Sequence, residues 1–401
     1  MIAFSAESNK LFKSLLITTV LAATLAGCSS TKVIKANSTP PIQASGEIRA
    51  NARLDIGIQP LDTNIPDQEE LEDALIVPDV RRAESRYIAY HLKDTLELTG
   101  HWGAVRVIPE DNETVHLTVS GKILTSDGEK LEVRVRAQDS TGKLWLDRKY
   151  SDNASKFSYE EIKEDPFQDL YNDIADDLLA ARQKLGDNEL AEIHQVTSLK
   201  YARTLAPEAF DDYVTETRSG RVEINKLPAE NDSMMDRVER IKKKEYIFVD
   251  TLDDYYGRFY HDMKPSYDEW RFATYEEAKK LREMEAQATK RLLGGAAMIA
   301  GGIYASQQSQ AGTYAGQAAS AGAVIGGIGA IRSGLNKKKS AEIHEESLKE
   351  LSQSLGSEIT PFVLDIEGRT IELTGTIDDQ YKQWRELLSE IYAEETGIPV
   401  E

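Results

Sequence analysis

The chain is 401 residues long, 40% hydrophobic and 29% charged, too long for one ordinary core and too polar for a polytopic membrane protein. Its formal charge of −20 argues against a nucleic-acid surface, which needs clustered Lys and Arg, and against electrostatic adhesion to anionic lipid heads. Its single cysteine, Cys28, permits no intramolecular disulfide, so covalent chemistry at that one position is the better reading.

At the N-terminus Lys10 and Lys13 precede an apolar run, Leu15 to Leu25, of signal-peptide length and too short for a membrane-spanning helix. The run ends in Leu25-Ala26-Gly27-Cys28. A thiol is the side chain nucleophilic enough to form a thioether near neutral pH. All four residues match the bacterial lipoprotein signal, and the segment resembles that family. The resemblance implies cleavage before Cys28, transfer of diacylglycerol to its thiol and acylation of the new amino group. Several acyl chains exceed the two signals that stable anchoring needs. Ser29 stands where Asp would mark inner-membrane retention, which implies the outer membrane of a Gram-negative bacterium, on its periplasmic side. Residues 1–27 thus read as signal peptide. Residues 28–50, polar with Pro40-Pro41 and no periodicity, read as a flexible tether.

Residues 51–186 read as an α/β domain. Ala52 to Ile58 alternates as a half-buried strand, and Asp79 to Leu98 follows as a helix with Gly100 just past its end. Gly103 to Ile108 is a second strand. A meander follows: Val115 to Leu124, Leu131 to Gln138 and Lys143 to Tyr150, joined by Ser126-Asp127-Gly128 and Ser140-Thr141-Gly142. A helix from Pro166 to Leu185 closes the unit, burying Phe167, Leu170, Tyr171, Ile174 and Leu178.

This order, β-α-β-β-β-α behind a lipobox, resembles an envelope module. It is similar to the N-terminal domain of the translocation protein TolB, the curli-secretion lipoprotein, the lipoprotein activators of penicillin-binding proteins and the auxiliary lipoproteins of lipid transporters. The likeness is carried by the arginine-rich helix start, Val80 to Tyr90, by His101-Trp102-Gly103-Ala104-Val105-Arg106-Val107, and by the meander. It implies a domain that binds other proteins and does no chemistry. The curli channel's membrane-inserting hairpins have no counterpart, because Lys130 to Tyr150 is charged on both faces.

Residues 187–290 read as a helical, aromatic-rich region. Asn188 to Arg203 and Pro207 to Thr215 are helices, Ser219-Gly220 and Pro228 are breaks, and Met234 to Lys290 is helix-biased. Ten aromatics from Tyr246 to Tyr275 admit two readings. One is a stacking surface for glycan, beside Asp253, Asp254, Asp262 and Glu269. The other, favoured by the 3-4-3-4 spacing of Val249, Leu252, Tyr256, Phe259 and Met263, is core or protein interface. Tyr255, Tyr260 and Trp270 are the candidate interaction residues.

Residues 291–339 hold a glycine-rich tract; Leu292 to Ile331 contains no charged residue. Small residues recur every four positions, Gly312, Gly316 and Ser320, then Ala318, Gly322, Gly326, Ala330 and Gly334. That spacing makes one helical stripe on which two helices can approach closely. The polar break Gln307 to Gln310 predicts a helical hairpin whose basic flanks lie together, as at one membrane face. The tract resembles the glycine-zipper segments of outer-membrane lipoproteins. Its first arm, Leu292 to Ala305, reaches about 21 Å and its second, Ala311 to Ile331, about 31 Å, against a ~30 Å hydrocarbon core. A membrane-inserted or self-associating hairpin leads, ahead of a buried helical pair and a low-complexity linker. Gly312, Gly316, Gly322 and Gly326 would make its contacts and a homo-oligomer its product.

Residues 340–401 read as a small α-β-β-α piece. It comprises a helix from Ser340 to Leu355, a hairpin of Phe362 to Ile366 with Thr370 to Leu373, and a capping box at Thr376-Ile377-Asp378-Asp379. The last helix stacks Tyr381, Trp384, Leu388 and Ile391. The hairpin resembles the BON domain of envelope proteins, which implies membrane binding; that family's final strand would begin near Ile398.

The six histidines are scattered, with no HExxH, GxSxG or GxxxxGK[ST], and Asp253-Asp254 reads as solvated surface. The expectation is an α+β protein without catalytic residues, metal or cofactor, held on the membrane by lipidated Cys28. It would scaffold or regulate an envelope complex through a protein partner; the alternative is a peptidoglycan- or glycan-binding module.

Overall fold

The computed structural model describes residues 38–67, 76–109, 112, 114–160, 163–305, 346–347, 349–350, 353, 361–366 and 369–397. The protein is α+β, with a mixed five-stranded sheet. In chain order the sheet unit comprises β1 (Ile56–Ile58), α1 (Pro78–Thr99), β2 (Val105–Val107), β3 (Leu117–Ser126), β4 (Lys130–Asp139), β5 (Leu144–Asn153), the short α2 (Lys156–Glu160) and α3 (Gln168–Arg182). The strands lie in the order β2-β1-β3-β4-β5; β1 is parallel to both neighbours and β3-β4-β5 form an antiparallel meander.

Strand alternation decides which face is core. Leu117, Val119, Ile123, Leu131, Val133, Val135 and Ala137 are buried under α1 and α3, while Thr118, Ser120, Arg136 and Gln138 alternate with them on the other face. The sequence reading of β1 as half-buried needs correction. Ile56, Gly57 and Ile58 are all buried, because Ile108 and Val115 lie over Gly57, where a Cβ would come within 2.2 Å of Ile108 Cδ1. Gly100 ends α1 at φ 69° with its N–H on Glu97 O, as its position predicts.

The second half of the expected tether is also corrected. Residues 38–44 form a strap docked along α3 and the end of α1. Thr39 N–H donates to Asp169 Oδ1 (2.6 Å), Ile42 N–H to Asp176 Oδ1 (2.8 Å) and Ala44 N–H to Thr99 O (2.8 Å). Asn172 Nδ2 returns a bond to Thr39 O at 2.8 Å. Carboxylates on α3 thus satisfy backbone donors of a stretch that has no secondary structure of its own.

Beyond the sheet unit come α4 (Asp187–Leu205), α5 (Pro207–Phe210), the hairpin β6 (Val214–Glu216) with β7 (Val222–Ile224), and α6 (Ser233–Ala305). The helix expected to run from Pro207 to Thr215 stops at Phe210 and gives way to β6. The break at Ser219-Gly220 is the hairpin's turn, with Gly220 at φ 77°. A second hairpin, β8 (Phe362–Ile366) with β9 (Arg369–Leu373), precedes α7 (Ile377–Thr396). The predicted capping box opens α7: Asp379 N–H donates to Thr376 Oγ1 and Thr376 N–H to Asp379 Oδ2. Of the expected helix from Ser340 to Leu355, only residues 346, 347, 349, 350 and 353 are described, and they are helical.

Helix α6 organises the molecule. It has 73 residues, about 110 Å at 1.5 Å per residue. Val238, Ile241, Glu245, Phe248, Leu252, Tyr256, Phe259, Met263, Tyr267 and Trp270 recur at spacings of three and four and are buried. One continuous hydrophobic cluster contains the apolar residues of this stripe together with Ile56 and Val133 of the sheet and Tyr381, Trp384, Leu388 and Ile391 of α7. The core is therefore shared across the sequence boundaries drawn at 186/187 and 339/340.

Candidate functional site

Three buried polar clusters fix α6 on the sheet unit. In the first, Arg271 and Asp165, each 1% exposed at the side chain, meet at 3.0 Å, and Asp268 Oδ1 takes a further bond from Arg271 at 2.5 Å. The guanidinium also faces the Tyr267 ring at 4.3 Å. Burial opposes ionisation of Asp165, but Arg271 overrides it and holds the carboxyl below its ordinary value. In the second, Glu84 of α1 accepts from Arg81 (3.0 Å), Ser126 Oγ (2.7 Å) and Tyr267 Oη (2.9 Å). Burial raises its pKa against the pull of Arg81.

The third cluster covers the edge of β2. Val107 N–H, at the edge of the sheet among the described residues, donates to Asp253 Oδ1 at 2.8 Å, and Lys93 lies 3.4 Å from Asp253 Oδ2. Burial raises the Asp253 pKa to about 6, against the lowering effect of those two partners. Asp253 is therefore a structural tie rather than the solvated surface its sequence suggests, whereas Asp254 is exposed.

His91 and His116 hold structural bonds as well. His91 lies between Tyr260 Oη and Gln168 Oε1, 2.8 Å from each. His116 Nδ1 accepts the Asp55 N–H at 2.9 Å, and burial, then His194 and Lys242, push its pKa down to about 3. Among the described residues no group of three His, Cys, Asp or Glu is placed to hold a metal ion.

A broad concavity lies on the polar face of the sheet. It is a cleft of about 1160 Å³ whose floor presents Thr118 and Ser120 of β3 with Arg136 and Gln138 of β4. Lys200 and Thr204 of α4 form one wall, Tyr381, Lys382 and Arg385 of α7 another, and Arg82 and Arg86 of α1 close one end. α7 is held there by its apolar face in the shared core and by Tyr381 Oη, which donates to buried Glu245 at 2.7 Å and accepts from Asn112 Nδ2 at 3.1 Å. Burial raises the Glu245 pKa, with Arg385 opposing.

Six cationic side chains border the cleft in a chain of net charge −20. Of the four carboxylates, Asp139 is turned into the β4-β5 turn, accepting from Thr141 and Lys143 N–H and from Trp145 Nε1. Asp379 caps α7. Glu216 and Asp378 are the other two.

The residues singled out from sequence fare differently. Tyr260 and Trp270 are core residues, and Tyr255 is half-buried with Arg258 over its ring at 4.4 Å. The favoured core reading accounts for the first two, which offer no ring face to a glycan. Cys28, Gly312, Gly316, Gly322 and Gly326 lie outside the described residues. The cleft itself went unread, because its cations come from α1, β4, α4 and α7 and form no pattern along the chain. Among the described residues no helix is long and apolar enough to cross a membrane. No protein-family model matches the chain, and neither a curated protein nor a solved structure matches it.

Proposed function

We propose that the chain is an outer-membrane lipoprotein, anchored through Cys28, that scaffolds or regulates an envelope complex by protein contacts and performs no catalysis of its own. Its α/β domain resembles envelope modules with that role, and His91 and His116 are engaged in structural hydrogen bonds. The observation that carries the reading is the continuity of α6: one helix runs from the shared core through Leu292 into the first arm of the uncharged tract. Arg282, paired with Asp127 and Glu129, makes the last of the ion pairs between α6 and the sheet unit among the described residues. The helix then rises a further 23 residues to Ala305, about 35 Å.

The strap bears on the other end. Nine residues lie between Cys28 and Ser38, the first docked residue among those described, a leash of about 35 Å at full extension. In this reading the body stands close to the membrane, with α6 presenting the tract for insertion or self-association. The tract's helical hairpin and its contacts at Gly312, Gly316, Gly322 and Gly326 belong to the same proposal. Gly322→Leu with Gly326→Leu should lower the oligomer size in detergent and weaken the detergent requirement. An unchanged oligomer and unchanged extraction would remove the tract from the account.

A further inference from the structure

The cleft on the sheet's polar face suits a particular ligand chemistry. Its cations stand on separate elements: Arg86 on α1, Arg136 on β4, Lys200 on α4, Lys382 and Arg385 on α7. Arg86 and Arg136 make hydrogen bonds to neutral acceptors, Arg82 O and Gln138 Oε1, and among the described residues neither they nor Lys382 takes part in an ion pair. Arg86, Arg136 and Lys382, bordering a concavity without an ion-pair partner among the described residues, raise the local concentration of anions, even in a molecule whose net charge repels them. Guanidinium groups in particular match the oxygens of phosphate.

The rest of the lining narrows the class. The floor offers hydroxyls and an amide, Thr118, Ser120 and Gln138, which can both donate to and accept from the hydroxyls of a polyol. Val115, Val222 and two prolines are the aliphatic contribution, too little for an acyl chain. An acidic peptide fits less well, because extended peptides gain affinity by main-chain pairing at a sheet edge. This floor is a sheet face, and the β2 edge is already taken by Asp253. A long polyanion would leave the cleft and run over an acidic surface.

We propose that the cleft binds a phosphorylated polyol, either free or as the headgroup of a lipid, with Arg86, Arg136 and Lys382 contacting phosphate and the β3-β4 face contacting hydroxyls. This goes beyond the scaffolding role and does not depend on the lipid anchor.

The test is calorimetric titration of the full chain in detergent with phytate, myo-inositol and polyglutamate. Phytate should bind, myo-inositol should not, and polyglutamate should bind more weakly. Arg136→Gln with Lys382→Gln, both exposed side chains, should weaken phytate by about tenfold or more with an unchanged circular dichroism spectrum. Arg148→Gln, which removes a charge from the outer strand β5, should leave affinity unaltered. Vesicles of phosphatidylcholine containing phosphatidylinositol phosphate then separate the two sources: competition with phytate assigns the headgroup, and its absence assigns a soluble ligand. Absent phytate binding, an equal loss in Arg148→Gln, no loss in the double variant, or polyglutamate binding as tightly as phytate would each overturn the proposal.

Discussion

Arg271 sits with Asp165, Asp268 and three aromatic rings at the junction of α6 with the sheet unit. Removing one partner of such a pair leaves the other charged and buried, which costs about 3–5 kcal/mol, whereas replacing both with apolar groups costs far less. Arg271→Met should therefore lower the urea midpoint strongly, and adding Asp165→Leu should restore part of the loss. Additive losses in the double variant would mean that the pair is not coupled. His116 makes a second prediction. Its folded pKa of about 3 lies below its ordinary 6.5, so between those values the unfolded state binds the extra proton and stability falls as pH falls. Each pH unit within that window costs up to about 1.4 kcal/mol. Asp253, with its pKa raised to about 6 from 3.8, works in the opposite sense, since its native form takes up a proton first on acidification. Replacing His116 with Asn, whose Oδ1 can accept the Asp55 N–H, should move the acid-unfolding midpoint to lower pH in equilibrium titrations. A midpoint that stays put or rises would acquit His116.

Elements are held by contacts that differ in how openly the sequence declares them. Gly142 closes the β4-β5 turn at φ 77°, and a Cβ there would come within 1.9 Å of Gly220 O in the β6-β7 turn. Gly142→Ala should thus destabilise by more than the about 1 kcal/mol expected of a strained turn alone, because the two turns would also be forced apart. Thermal melts read this directly; a loss no larger than that of Gly220→Ala, which has open space around it, would show that the turns do not lean on each other. The meander, α1 with its glycine cap, and the capped α7 were all legible, since each carries period-two or 3-4 apolar patterning and its own stop signals. The strap over residues 38–44 was not, because its bonds run from backbone donors to Asp169 and Asp176, more than a hundred residues away. The β6-β7 hairpin was also missed. Its strands have three residues each, too few for alternation to stand out, and its valines read equally well as the end of a helix.

At the scale of the whole molecule, the stripe along α6 joins segments that look separate in sequence into one core. Its spacing was visible, and it rightly marked Tyr256, Phe259 and Met263 as buried; what they pack against was not, since a helical stripe does not name its partner. The cleft shows the same limit for polar residues, whose spacing in the chain says nothing of a shared wall. In the proposed account this single body is tied to the membrane through nine residues of leash, with α6 carrying the glycine-rich tract away from it. Metabolic labelling with radioactive palmitate, followed by membrane fractionation, tests the anchor most directly. The account predicts a labelled wild-type chain in the outer-membrane fraction and no label on Cys28→Ser; an unlabelled wild type, or label retained by Cys28→Ser, would contradict it.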